Sequence, residues 1–92
     1  MEEVLSKSED SRKPLHEQVF HSLRLFDSLE CWLPPRFLVE ESRIAWSEVD
    51  RNFMCDEIET ERLPTLEKAR QRYESRRAAL VNKGFVLSDM DF

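Results

Sequence analysis

The sequence predicts an all-α protein, either a small three-helix bundle or a helical hairpin with a kink between its second and third segments, with dimerisation as one way to complete it. Three observations carry that expectation. Apolar residues recur at three- and four-residue steps over long stretches, the spacing of one helical face. Glycine occurs once, at Gly84, whereas an antiparallel sheet of this length ordinarily uses several in its hairpin turns. The prolines stand at Pro14, Pro34, Pro35 and Pro64, where helices would start or break.

Residues 1–13 are polar and charged, with Val4 and Leu5 their only aliphatic members apart from Met1, and read as a flexible arm. Pro14 suits the first helical position, and Leu15, Val19, Leu23, Phe26, Leu29 and Leu33 form a stripe that places a first helix over 14–33. Leu25 and Trp32 widen that stripe. Pro34-Pro35 makes a corner, and a second helix is expected over 36–61 on Leu38, Ala45, Trp46, Val49 and Phe53, with a smaller patch of Phe37, Ile44 and Cys55. Pro64 marks either a turn or a kink. The third helix runs over 64–83 on Leu66, Ala69, Tyr73 and Leu80, and Gly84 stands where a left-handed cap belongs. Leu23, Phe26 and Val49 are expected in the core. The domain plan is thus a flexible arm at 1–13, a helical domain at 14–84 and an apolar, acidic tail at 85–92.

Ninety-two residues suit one domain with a modest core, and 40% apolar with 36% charged residues implies a thin core under a solvated surface. The net charge of −5 is unevenly spread. Residues 1–61 hold fifteen acids against seven bases, while residues 62–83 hold seven bases against two acids. The chain as a whole therefore repels nucleic acid, and only one segment attracts it. No apolar run approaches the roughly 20 residues that span a bilayer, and Met-Glu-Glu carries the wrong charge for a signal peptide, so a cytoplasmic protein without a membrane partner is expected. Cys31 and Cys55 read as reduced thiols within helices, with a disulfide as the alternative.

Candidate chemistry is sparse. His16 and His21 stand five residues apart, about 140 degrees around a helix, so they do not converge with Cys31 and Cys55 as metal ligands. No cofactor is expected. Gly-rich phosphate loops and glycine-flanked nucleophilic serines are absent, and the carboxylate pairs Glu40/Glu41 and Asp56/Glu57 read as a solvated face, so the chain is not expected to be an enzyme.

Two binding surfaces remain. The basic run Lys68, Arg70, Arg72, Tyr73, Arg76 and Arg77 has the cations and the aromatic ring of a nucleic-acid site. Pairing with the eight acids between residues 38 and 61 fits the rest of the chain better, and an acidic protein partner is a further alternative. The other surface joins Trp32 at the proline corner, Leu87, Met90 and Phe92 in the tail, and the acids Glu57 and Glu59. Apolar anchors interleaved with negative charge suit a groove on a larger protein. The expected function is therefore a small acidic protein-protein interaction module, an inhibitor, adaptor or chaperone-like subunit of a larger protein, with a homodimer in view. The alternative is a nucleic-acid-associated regulator using residues 68–83.

Overall fold

The computed structural model describes residues 1–28 and 36–88, and it overturns the all-α expectation. Five strands form one antiparallel sheet, and of the three expected helices only the third exists. The strands are β1 (Glu2–Lys7), β2 (Phe20–Asp27), β3 (Phe37–Ser47), β4 (Asn52–Leu63) and β5 (Phe85–Leu87), with helix α1 (Leu66–Asn82) before the last. Their order across the sheet is β4-β3-β2-β1-β5. The first four strands make a meander, and α1 carries the chain across one face from one edge to the other.

The stretches expected as helices 14–33 and 36–61 contain β2, β3 and β4, and the stretch expected as a flexible arm contains β1. The physical reason is that both faces of this sheet are partly covered. Leu23 and Leu25 point to the α1 side while Phe20 and Phe26 point to the other, and in β3 Val39 points to α1 while Leu38 and Ile44 point away. Apolar residues on both faces of a strand give steps of one, three and four that imitate a helical stripe. Val49, expected in the core, sits in the β3–β4 turn and is 93% exposed.

Glycine is dispensable because the connections do not use tight glycine turns. β1 and β2 are joined by residues 8–19, which contain two short 3-10 turns, Ser8–Asp10 and Leu15–Glu17. Between β3 and β4, Arg51 takes the left-handed conformation at φ +50°, and the Ser47 hydroxyl accepts from the Asp50 amide at 3.3 Å. Gly84 does require its freedom: it lies at φ +95°, and its amide donates to the Val81 carbonyl at 3.0 Å to close α1.

Pro64 marks a turn rather than a kink. Leu63 ends β4, and the Thr65 hydroxyl accepts from the Lys68 amide at 3.2 Å to cap α1. The core lies between α1 and the sheet: Leu5, Leu23, Leu25, Val39 and Phe85 meet Ala69, Tyr73 and Leu80. Tyr73, Leu23 and Val39 are nearly sealed from water, and burial of this kind stabilises by about 25 cal/mol per Å² of apolar surface. Among the described residues no helix is long and apolar enough to cross a membrane.

Candidate functional site

The core faces α1; among the described residues no α-helix lies over the opposite face of the sheet. Strand alternation places Val4, Ser22, Ser42, Ile44, Phe53 and Cys55 on this open side. They line a groove of about 470 Å³. Its floor is low because two of the central residues are small: Ser22 pairs with Ser42 across β2 and β3, and both are buried. Val4 of β1 walls one side, and Ile44 and Cys55, paired across β3 and β4, wall the other. Larger side chains at the two serines would fill the groove.

One end of the groove is built from aromatic rings. Phe53 packs edge-on against Trp46 at 5.3 Å and against Phe20 at 6.3 Å between ring centroids. Leu15 and His16 of the β1–β2 connection lie beside Trp46 and Phe53, and Phe20, against Phe53, is sealed from water. At the other end Arg24 lies between two carboxylates, 3.8 Å from Glu2 and 3.6 Å from Glu40, and its guanidinium stacks over Phe26 at 4.8 Å. Two acids against one arginine leave that end negative.

Beside the groove β4 forms one edge of the sheet and carries Asp56, Glu57, Glu59 and Glu61 within six residues. The β3–β4 register slips between Glu41 and Ser42, leaving Ile58 as an extra residue. A bulge and a row of acids are the usual protection of a long edge strand against pairing with itself. Of these acids only Glu57, paired with Ser42, stands on the open face; Asp56, Glu59 and Glu61 register with Arg43, Glu41 and Val39 on the α1 side.

Part of the basic run of α1 is tied to the acids of the sheet. Arg76 lies 2.7 Å from Glu61, 2.9 Å from Glu59 and 3.6 Å from Glu41; Arg72 reaches Glu61 at 3.1 Å, and Arg77 reaches Glu3 at 3.4 Å. The Tyr73 hydroxyl donates to Glu3 at 2.8 Å, and burial together with that carboxylate raises its pKa well above the ordinary 10.0. Four of the six residues singled out for nucleic acid thus belong to a network beneath the helix. Lys68 and Arg70 are exposed.

The protein-binding candidates are dispersed. Leu87 is an exposed residue of β5 paired with Leu5, while Glu57 and Glu59 stand on β4 at the far edge. Glu59 accepts from Arg76, and Glu57 accepts from the Thr60 hydroxyl. Trp32, Met90 and Phe92 lie outside the described residues, as does Cys31. Cys55 is a free, exposed thiol, and the described metal-ligand candidates do not converge: His16 sits on the β1–β2 connection, His21 on the α1 side and Cys55 on the open side.

Sequence reasoning missed the serine-floored groove. The signal that could have found it is the alternation Ser22-Arg24-Phe26 and Glu40-Ser42-Ile44, one face of two neighbouring strands. No family model, no curated protein and no solved structure matches the chain.

Proposed function

We propose that this protein is a non-enzymatic binding module that holds an extended basic and apolar segment of a larger protein in the groove on the open face of its sheet. The observation that carries the reading is that α1 covers one face, while the other presents a groove with apolar walls and a small-residue floor. An antiparallel sheet tolerates one solvated face when that face is polar. Here it carries Val4, Ile44, Phe53 and Phe26, which favour an apolar occupant. The Glu2–Arg24–Glu40 end and Glu57 of β4 on the same face favour positive charge on that occupant, as does the net charge of −5. A regulatory role as inhibitor, adaptor or chaperone-like subunit in the cytoplasm suits such a module, and the free thiol of Cys55 suits a reducing compartment.

Two variants test this reading against the nucleic-acid alternative. Ser42→Phe fills the groove, and Arg70→Glu reverses a cation on the outer surface of α1, far from it. Capture from native extract followed by mass spectrometry should recover a basic partner with the parent chain and with Arg70→Glu, and lose it with a folded Ser42→Phe variant. Loss with Arg70→Glu and retention with Ser42→Phe would refute the groove and favour the basic helix.

A further inference from the structure

A second concavity lies on the α1 side, at the end of the sheet where the helix terminates. Lys7 of β1, His21 of β2, Arg43 of β3 and Lys83, just past α1, line a cavity of about 580 Å³, with Leu80 and Phe85 on its inner wall. These cations differ from the other basic residues on this face. Arg72, Arg76 and Arg77 each hold a carboxylate, whereas Lys7, Arg43 and Lys83 have no ion pair among the described residues. Asp10 is the one acid of the described lining, and Lys13 holds it at 2.9 Å.

The apolar part of the cavity is as definite as its charge. Leu80 and Phe85 are buried core residues that still reach the cavity wall. The Phe85 ring takes the His21 ring edge-on at 4.8 Å, and Lys7 Nζ stands 5.9 Å from its centroid. The negative pole of α1 points to this end, but its carbonyls at Leu80 and Val81 already accept from the Lys83 and Gly84 amides at 3.0 Å. A half-charge pole capped in this way opposes an anion less than three full cations attract it.

In a chain of net charge −5, three unpaired cations from three separate elements around one apolar wall call for an anion of higher charge than a single carboxylate. We propose that this cavity binds a phosphate monoester carried on an apolar, aromatic body, with the phosphate between Lys7, Arg43 and Lys83 and the ring against Leu80 and Phe85. The site is separated from the groove by the sheet itself, so it stands or falls independently of the protein-binding reading.

The experiment is a titration of the isotopically labelled full chain with phenyl phosphate, followed by amide chemical shifts. The expected result is saturable movement of the Lys7, His21, Arg43 and Gly84 amides, with inorganic phosphate binding at least about tenfold more weakly because it lacks the ring. Replacing both Arg43→Gln and Lys83→Gln should weaken phenyl phosphate at least about tenfold while leaving the far-ultraviolet circular dichroism unchanged. If that double variant unfolds, Lys7→Gln supplies the same comparison on its own. The proposal is overturned if these amides do not move at millimolar ligand, if inorganic phosphate binds equally well, if movement spreads equally to Arg24 and Arg51, or if a folded variant binds like the parent.

Discussion

Replacing Arg76 by methionine should destabilise the fold by about 2–3 kcal/mol. Methionine preserves most of the apolar stem that packs beneath the helix, so the substitution removes chiefly the charge and its hydrogen bonds. Arg76 is only 14% exposed and serves three carboxylates, of which Glu41 is equally buried, Glu61 is 25% exposed and Glu59 is 52% exposed. Removing one partner of a fully buried pair costs about 3–5 kcal/mol, because the remaining charge is left without compensation. Glu59 recovers most of its hydration in the variant, which pulls the expected loss toward or below the lower end of that range. Glu41 does not recover it, and Glu61 keeps only its pair with Arg72 at 3.1 Å, so the two carboxylates repel each other without the guanidinium. In urea unfolding followed by circular dichroism, a loss of this size moves the midpoint by roughly 1–2 M. The comparison is Arg36→Ala. Its ion pair with Asp27 is just as short, at 2.6 Å, but Arg36 is 53% exposed, so the cost should stay within about 1 kcal/mol. Equal midpoint shifts for the two variants, or a loss below about 0.5 kcal/mol for Arg76→Met, would refute the claim that burial sets the strength of the network.

Further expectations follow from the same interior. Leu23→Ala should cost about 2–5 kcal/mol in the same urea assay, since Leu23 is sealed between sheet and helix, whereas Val49→Ala should stay within about 0.5 kcal/mol. Tyr73→Phe should cost about 1.5–3 kcal/mol by removing the hydroxyl donated to Glu3, and a neutral result would show that bond to be dispensable. His21 is held below its ordinary pKa of 6.5, chiefly by burial and further by Arg43 and Lys83, against the opposing pull of Glu41. The unfolded chain therefore binds a proton more readily than the folded one, and stability should fall as pH drops from about 6.5 through the lower folded value. Melting curves across that window should show the decline in the parent and a flatter profile in His21→Gln. Gly84→Ala should cost about 1 kcal/mol from backbone strain alone, because φ is +95° and the space around a new methyl group is open.

The helix at 66–82 was legible because it has helical signals at both ends and an apolar stripe between them: Pro64 and Thr65 before it, Gly84 after it, and Ala69, Tyr73 and Leu80 facing the sheet. The strands were not legible. Sequence periodicity separates strand from helix when one face of the strand is clean, and here Phe20 is buried on the open side while Leu23, three residues on, is buried beneath α1. Glycine scarcity misled for a related reason. Arg51 adopts the left-handed turn without glycine, and the β1–β2 connection is long enough to need none. The basic run was visible as residues, and the acids between residues 38 and 61 pointed to the pairing within the chain that Arg72 and Arg76 make with Glu41, Glu59 and Glu61. Which of those acids Arg76 meets depends on β4 being a strand alongside α1, which no local pattern states.

The most direct test of the open-face reading is photo-crosslinking from the groove itself. A benzophenone on Cys55, in a Cys31→Ser background, points from the groove wall, while the same group on Ala78→Cys, with Cys31 and Cys55 replaced by serine, points from the outer face of α1. In native extract the Cys55 probe should give a discrete crosslink whose mapped peptide is basic and apolar, and the Ala78 probe should give none of it. Equal yield from both positions, a crosslink confined to the helix probe, or a mapped peptide that is acidic would contradict a partner held on the open face of the sheet.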